Sequence, residues 1–344
     1  MTPFGAGLTR IRRLARGATA ALRRRADRGV ILLYHRVAGP RLDPLELDVT
    51  PEHFAAQLAV LARDAAVLPL DEFEDRRRSG TLPPRATAIT FDDGYADNLH
   101  AATLALAAAG LPATVFVTTG MTGANREFWW DDLERIAFGE RHLAPPVPGL
   151  ALAWTAADGA PCAAGAWRLL SGTAPTLRHR LYRELFLHVR ALAPGEREAQ
   201  IAALRAWAGV PETARPSHRT MTRDELLALA AVPGLSLAAH TVTHPVLKSL
   251  PLAEQRRELA ESGAQLAAWL GHPVRAVAYP FGTVHDVSAD SWRAARDAGF
   301  DFALVNEPRT AWRWTSRWEL PRFLVRDWDA SEFASQLAAW RHAG

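Results

Sequence analysis

The sequence predicts an α/β protein whose strands close into a (β/α) barrel. Apolar runs of strand length alternate with segments of helical periodicity, which is typical of a parallel sheet with helical crossovers. In addition, polar residues follow the C-terminal ends of four predicted strands: His35, Asp92 with Asp93, His240, and residues 279–282. In a closed barrel these ends form one rim, whereas an open doubly wound sheet gathers fewer of them at one crevice. The closed barrel is therefore favoured.

The first part of the chain alternates strands with helices. Thr50 can cap a helix that has Pro51 in its first turn, and Gly110 ends a later helix. Consecutive apolar residues at 115–117 indicate a strand buried on both faces. The expected elements are a strand at 30–34, a helix from Pro51, a short strand at 67–70, a surface loop at 76–84, a strand at 86–91, a helix at about 97–109 and a strand at 113–118.

Residues 121–217 interrupt this alternation. Two helices are expected near 176–192 and 195–208, after a stretch rich in proline, glycine and alanine. We interpret 121–217 as a mainly helical insertion or subdomain, and 29–120 with 218–344 as the barrel.

Regular alternation resumes at residue 221. Thr222 and Glu225 have the spacing of a helix capping box. The expected elements are strands at 235–239, 274–280, 301–305 and 322–326, helices at 252–270 and 288–298, and a closing helix capped at Ser331.

Composition restricts the class of protein. The 344 residues have 49% hydrophobic content, which suits a globular enzyme, and Cys162 is the only cysteine, so no intrachain disulfide can form. The net charge is +3, yet residues 1–28 contain eight arginines and one aspartate. This segment has helical apolar spacing, so it is interpreted either as a solvated basic helix or as a peripheral contact with anionic lipid. The basic residues are not interleaved with aromatics, which argues against nucleic-acid binding.

Export and membrane insertion are not expected from the sequence. No apolar core of a secretory signal follows the N-terminal arginines, and the most apolar stretch, 99–121, is broken by Gly110 and Pro112. We therefore expect a cytoplasmic protein, with the inner membrane face as a possible peripheral location. The sequence does not indicate an oligomeric state.

Two motifs carry the predicted chemistry. Asp92 and Asp93 are neighbours after a strand, so one carboxylate can bind a metal while the other faces a substrate. His240 and His244 are four residues apart, a spacing that can hold one ion, although Thr241, Val242 and Thr243 indicate an irregular loop. Three ligands, an open position for water and a free base are the requirements for metal-assisted hydrolysis.

These motifs resemble those of the polysaccharide deacetylase family, also called NodB-homology or carbohydrate esterase family four. The resemblance rests on residues 90–94, 240–244 and 279–282, and it covers about 30–120 and 218–328. It implies a distorted (β/α)7 barrel, a divalent metal that is usually zinc, and hydrolysis of an acetyl group from a carbohydrate. By position, Asp92 would be the general base, and Asp93, His240 and His244 would be the metal ligands.

The resemblance also implies further roles, and the sequence departs from the family twice. The backbone N–H of Phe281 would stabilise the oxyanion, beside Tyr279 and Pro280. The arginine that usually pairs with the catalytic aspartate is replaced by Ala278, which leaves Arg275 or Arg322 as candidates.

The second departure concerns the C-terminal motif, which usually supplies the general acid and is missing; His342 lies near the end of the chain. Residues 33–37 instead resemble the N-terminal Leu-x-Tyr-His motif of the branch that acts on biofilm polysaccharides. That branch places its acid histidine on the first strand, so the resemblance implies that His35 is the acid.

Aromatic residues complete the predicted site. Tyr95, Trp129 and Trp130 are candidate substrate contacts, because flat aromatic faces stack on sugar rings. Trp312, Trp314 and Trp318 are also expected on loops near the rim, and packing is the alternative role for all of these tryptophans. The predicted function is removal of an N-acetyl group from an N-acetylhexosamine-containing glycan, glycolipid or sugar intermediate. The alternatives are an O-acetyl esterase and a non-catalytic glycan-binding module.

Overall fold

The computed structural model describes residues 28–39, 42–162 and 167–341. The predicted basic helix at 1–28 therefore lies outside the described residues except for Arg28, and His342 lies outside them too. None of the described helices is long and apolar enough to cross a membrane.

A curved, mostly parallel sheet forms the centre of the protein. The strands are β1 (Arg28–Tyr34), β2 (Arg36–Val37), β3 (Asp48–Val49), β4 (Ala66–Val67), β5 (Ala86–Phe91), β6 (Ala113–Val117), β7 (Leu235–Ala239), β8 (Ala276–Ala278), β9 (Phe302–Leu304), β10 (Ala311–Trp312) and β11 (Phe323–Leu324). The main path of the sheet runs β10-β1-β5-β6-β7-β8-β9, with β4 beside β5 and β11 beside β1. A separate parallel pair, β2 and β3, lies near the start of the chain.

One short segment joins the two sides of this sheet. Leu320 forms a parallel bridge with Leu304 of β9, and three residues later Phe323 and Leu324 pair in parallel with Leu32 and Leu33 of β1. Residues 320–324 thus connect β9 to β1. The predicted distorted (β/α)7 barrel is confirmed, with this seam as its seventh wall.

The helices pack mainly on the outside of the sheet. They are α1 (Pro51–Asp64), α2 (Leu70–Ser79), α3 (Thr103–Ala109), α4 (Trp129–Phe138), α5 (Leu177–Ala191), α6 (Pro194–Ala208), α7 (Arg223–Ala230), α8 (Leu252–Leu270), α9 (Ala289–Asp297) and α10 (Ala330–Trp340). Thr50 and Thr222 accept hydrogen bonds as N-caps of α1 and α7, as the sequence predicts.

The structure differs from the predicted elements at several points. Residues 76–79 belong to α2 rather than to a surface loop, because Arg77 is buried and pairs with Glu74 one turn earlier. The closing helix is capped by Asp329, whose carboxylate accepts the N–H groups of Ser331 and Glu332. The short antiparallel strand β10 was not predicted.

Side chains alternate between the two faces of the strands. Ile31, Ala88, Phe116, Ala238 and Ala278 lie in the cluster inside the curved sheet. Their neighbours along the same strands, such as Leu32, Ile89 and Val115, pack against the outer helices. The small alanines leave room inside the sheet for larger side chains from other strands.

Helices α4, α5 and α6 form a separate apolar cluster within 121–217. Leu133, Leu181, Leu185 and Leu204 are among its fully buried members. Tyr95 belongs to the same cluster, and Phe281 packs against it. The helices of the predicted insertion therefore pack directly against residues that the sequence assigns to the site.

Candidate active site

The catalytic candidates lie where the strands end. Tyr34 pairs with Phe91 in the β1–β5 register, so His35 and Asp92 follow side by side on adjacent strands. Val117 pairs with Ala239 in the β6–β7 register, so His240 begins the loop after β7. The shared rim that the sequence predicts is thus formed by the ends of β1, β5 and β7.

Asp93, His240 and His244 lie close enough to share one ion. Asp93 Oδ1 is 3.5 Å from His240 Nε2 and 3.4 Å from His244 Nε2. Zinc ligands lie about 2.0–2.2 Å from the metal, so two of them in tetrahedral geometry are about 3.4 Å apart. The potential ligand atoms of all three residues lie within 4.8 Å of one another. The donor set and its spacing therefore fit a zinc-sized ion.

The hydrogen bonds around these side chains also suit a metal site. His240 Nδ1 lies 2.8 Å from the carbonyl oxygen of Ala278 and therefore donates to it, which leaves Nε2 unprotonated on the neutral ring. Among the described residues, the buried Asp93 Oδ1 has no hydrogen-bond partner. A buried carboxylate oxygen without a partner is costly, and a cation between the two imidazoles would satisfy it.

The two histidines differ electrostatically. Burial, and next the neighbouring His240, hold the pKa of His244 well below its usual value. Burial also lowers the pKa of His240, but Asp92 and Asp93 outweigh it and raise the value overall. His244 is therefore neutral at physiological pH, as a metal ligand must be, and a proton on His240 would compete with a metal.

Arg322 is the partner of Asp92. Its Nη1 and Nη2 donate to Asp92 Oδ1 and Oδ2, each at 2.7 Å, and both side chains are buried. Burial raises the pKa of Asp92, yet the Arg322 charge and then His240 lower it below the usual value. Arg275 instead pairs with Asp75 and Asp301 on the surface. An arginine on the seam between β9 and β1 thus occupies the role that Ala278 cannot fill.

His35 lies partly exposed at the end of β1. Burial lowers the pKa of His35, while the charges of Asp93 and Asp92 act in the opposite direction. Its backbone carbonyl accepts a hydrogen bond from Asn98 Nδ2 at 2.8 Å, which fixes the chain at this point. His35 is therefore placed within the electrostatic field of both aspartates.

The loop after β8 contains the third motif. Tyr279 and Pro280 are buried, whereas Phe281 is partly exposed and has a positive φ of 60°. Within the part of the chain that the structure describes, the backbone N–H of Phe281 donates to no hydrogen-bond acceptor. The Phe281 ring packs against His244, with centroids 4.8 Å apart.

Trp129 and Trp130 lie in the first turn of α4, not on a loop as predicted. Both are buried, and Trp130 packs edge-on against His244 at a centroid distance of 4.8 Å. Trp130 Nε1 donates to the Tyr95 hydroxyl, which donates to Asp131 Oδ2, each at 2.8 Å. These residues thus form a rigid aromatic wall behind His244. Of the other predicted aromatics, Trp312 lies in β10, and Trp314 is 82% exposed.

Glu258 holds the histidine loop from one side, a role that the sequence does not reveal. It accepts the N–H groups of Val242 and Thr243, each at 2.9 Å, and the Thr243 hydroxyl at 2.7 Å. Thr241 and His244 have positive φ angles of 65° and 55°, which are unfavourable for side chains other than glycine. The tertiary structure therefore has to stabilise this loop, and Glu258 provides part of that stabilisation.

A second group of potential ligands contains Asp131, Glu134 and His218. Here Tyr95 donates to Asp131, and Arg215 Nη1 donates to Glu134 at 2.9 Å. His218 Nε2 lies 3.7 Å from Glu134 Oε2. The protein's own donors and cations thus already satisfy this group, which distinguishes it from the Asp93 site.

Comparison with protein families supports the resemblance predicted from the motifs. The model of the family described as polysaccharide deacetylase matches residues 79–142 and 207–303. The matched ranges contain Asp92, Asp93, His240, His244 and Phe281, and the gap between them falls inside the predicted insertion. A search among curated proteins found no significant match. The predicted resemblance to this family of hydrolytic deacetylases is confirmed.

Several solved structures have a similar fold. The Streptococcus pyogenes deacetylase PplD, solved in complex with acetate, is 17% identical with a TM-score of 0.58, over 90% of this chain and 98% of that one. IcaB from Ammonifex degensii is 17% identical with a TM-score of 0.57, over 92% of this chain and 98% of that one. A de-N-acetylase from Aggregatibacter actinomycetemcomitans is 13% identical with a TM-score of 0.56, over 90% of this chain and 99% of that one. At these identities the likeness establishes the fold.

Proposed function

Because the chain resembles the polysaccharide deacetylases, we propose that it is a metal-dependent hydrolase that removes an N-acetyl group from an N-acetylhexosamine-containing glycan, glycolipid or sugar intermediate. The observation that carries this proposal is the spacing of Asp93, His240 and His244 around one point, with the ionised Asp92 beside them. A divalent ion, zinc by its ligand set, would be held by these three residues. When bound, such an ion polarises a carbonyl and lowers the pKa of water from about 15.7 to about 7.

Asp92 acts as the general base in this proposal. Its carboxylate accepts a proton from the water that attacks the acetamide carbonyl carbon. Arg322 keeps Asp92 ionised and fixes the plane of the carboxylate through two parallel hydrogen bonds. Each carboxylate oxygen retains a lone pair for the incoming proton. The base is thus charged and oriented before the substrate binds.

Phe281 and His35 complete the reaction. The unpaired N–H of Phe281 donates to the oxyanion that forms on the acetyl oxygen, a contact worth about 3–4 kcal/mol in other hydrolases. Protonated His35 transfers a proton to the amide nitrogen as the carbon–nitrogen bond breaks, because an amine anion is a poor leaving group. The products are acetate and the free amino sugar.

Acetate release with and without a chelator tests this proposal. The substrates are chitooligosaccharides, lipid-linked N-acetylglucosamine and UDP-N-acetylglucosamine. We expect Asp92→Asn to retain the metal and lower kcat by about 10²–10⁴-fold, and Asp93→Ala to lose the metal. Asp301→Asn, at an exposed position directly before β9, is the charge-matched control and should leave both metal content and kcat unchanged. Metal binding without acetate release from any substrate would contradict the proposal and favour a glycan-binding module.

One observation favours O-acetyl ester hydrolysis as a second candidate. Burial lowers the pKa of His35, which disfavours the protonated form that amide hydrolysis requires. An alkoxide leaves more readily than an amine anion and depends less on an acid. His35→Ala should therefore lower amide hydrolysis by about 10²–10³-fold and leave ester hydrolysis nearly unchanged. An equal loss on both substrates would reject this distinction.

A further inference from the structure

Two arginines flank the turn between α5 and α6: Arg190 is half-buried and Arg197 is buried. Arg190 lies in the last turn of α5, and Arg197 lies in the first turn of α6. We call residues 190–197 the hairpin tip. It belongs to the insertion, yet both arginines bind loops of the barrel.

Arg197 binds the backbone of the loop that carries the histidines. Its Nη1 donates to the carbonyl of His244 at 3.2 Å, and its Nη2 donates to the carbonyl of Thr243 at 2.5 Å. Arg197 is buried, and burial lowers its pKa to about 10 although the charge of Glu258 acts in the opposite direction. A buried guanidinium is costly without acceptors, so its cost is offset by these two carbonyls. The contact therefore constrains both the Arg197 side chain and the backbone of Thr243 and His244.

Arg197 and Glu258 bind the same loop, Arg197 as a hydrogen-bond donor and Glu258 as an acceptor. Glu258 accepts the N–H groups of Val242 and Thr243, while Arg197 donates to the next two carbonyls. Thr241 and His244 have left-handed backbone angles within this short stretch. Such angles cost about 1–3 kcal/mol each and persist only where surrounding contacts enforce them. Releasing either side would let His244 relax away from Asp93.

Arg190 binds the loop after β8 in a similar way. Its Nη2 pairs with buried Asp286 Oδ1, and its guanidinium lies over the Phe281 ring, 4.4 Å from the centroid. Asp286 Oδ2 in turn accepts the N–H and hydroxyl groups of Thr283. The backbone at Phe281, with its positive φ, is thus fixed by contacts from the insertion.

We propose that the hairpin tip is a clamp that sets the geometry of the active site, with Arg197 positioning the metal ligand His244 and Arg190 positioning Phe281. This proposal rests on the proposed function for its catalytic part, but the loop contacts exist independently of it. The insertion would then be required for metal affinity and turnover, although it supplies neither a ligand nor a base.

Zinc affinity and hydrogen exchange test the Arg197 part. Arg197→Met should raise the zinc Kd by about 10–100-fold, as for other residues that orient metal ligands. It should also accelerate amide exchange of the peptide 240–247 in the metal-free protein. Arg197→Lys, which can still donate to a carbonyl, should give intermediate values. The matched control is Arg205→Met on the same helix, where Arg205 pairs with Asp132 and Glu212 and contacts no site loop.

Turnover tests the Arg190 part. Arg190→Met should lower kcat for acetate release by about 10-fold or more and change the zinc Kd much less than Arg197→Met does, because Arg190 contacts Phe281 rather than the backbone of a ligand. The clamp is wrong if Arg197→Met matches the wild type in both zinc Kd and exchange, or if Arg205→Met changes them equally. If the wild type binds no zinc while Arg197→Met still accelerates exchange, the proposed function fails and the clamp stands.

Discussion

Replacement of Arg322 by methionine tests how the base is kept ionised. Arg322 contributes two charge-assisted hydrogen bonds of 2.7 Å to Asp92 in a buried setting. Removing one partner of a buried ion pair costs about 3–5 kcal/mol, because the remaining charge is left uncompensated. The variant should therefore be less stable by roughly this amount, and its kcat/KM should fall by about 10²–10³-fold as the base loses its orientation.

The pH dependence of kcat/KM in Arg322→Met tests the ionisation of Asp92 more directly than the loss of activity or stability does. With Arg322 present, the pKa of Asp92 lies below its usual value, so the base is ionised across the neutral range. Without it, the largest effect that opposes burial is lost and this pKa rises. The acid limb of the kcat/KM profile should therefore move to higher pH, towards the basic limb that loss of the His35 proton sets, so the pH range of activity should become narrower and its maximum lower. The assay is acetate release from one substrate over pH 5–10.

A control and a metal measurement decide the interpretation. Arg275→Met removes an arginine whose partners, Asp75 and Asp301, are on the surface, so its profile should match the wild type. Zinc content of Arg322→Met should remain stoichiometric, since Arg322 contacts no proposed ligand. An unmoved acid limb in Arg322→Met, with zinc retained, would refute the reasoning about Asp92.

Three further predictions concern the loop and the interior. Gly120→Ala should raise the zinc Kd and destabilise the protein by about 1–3 kcal/mol, because the new Cβ would lie 2.5 Å from the Val242 carbonyl oxygen. Gly172→Ala, which has open space around it, should change neither the zinc Kd nor the stability. Equal changes in the two variants would contradict the role of Gly120. Glu258→Gln should also raise the zinc Kd in chelator competition, since an amide accepts fewer N–H bonds than the carboxylate; an unchanged Kd would exclude this role for Glu258. Burial raises the pKa of Asp132 to about 6, above its unfolded value of about 3.9, so the folded state binds the extra proton. The free energy of unfolding of the wild type should therefore fall by roughly 2 kcal/mol as the pH rises from about 4 to about 6. Urea unfolding should show Asp132→Asn gaining that amount relative to the wild type over this interval, and a constant difference would disprove the shift.

The sequence predicts the ligands and base because they lie in short motifs directly after strands. Asp92 and Asp93 follow β5, and His240 begins the loop after β7, so the barrel topology alone brings them to one rim. His35 follows β1 for the same reason. The barrel was predicted from the same pattern, because a barrel rim gathers more strand ends than the crevice of an open doubly wound sheet.

The supporting residues could not be predicted in the same way. Arg322 is 230 positions from Asp92 and lies directly before a strand of only two residues, so the sequence names it only as one of two candidates and no periodicity singles it out. Arg197 and Glu258 bind backbone atoms, and no sequence pattern indicates a side chain that holds a distant carbonyl or N–H. Their roles depend on tertiary contacts between an insertion, a helix and a loop.

The helix α2 illustrates an avoidable error. Three consecutive arginines suggested a loop, but Asp71 and Glu72 at the start and Gly80 at the end match the charge and capping preferences of a helix. Similarly, Trp129 and Trp130 precede Asp131 and Asp132, an acidic first turn that indicates a helix start. In both segments the terminal residues were more informative than the central ones.

The seam at 320–324 is made late in synthesis, and it carries the arginine that pairs with the proposed base. All three proposed metal ligands are complete once residue 244 has left the ribosome, but Arg322 emerges about 80 residues later, several seconds at ordinary rates of elongation. Until then Asp92 faces the interior without its cation, and β1 lacks its parallel neighbour β11. In a nascent chain the proposed base would therefore gain its cation only after Glu258 and Ala278, which hold the histidine loop and His240, have already emerged, when the last wall of the barrel closes.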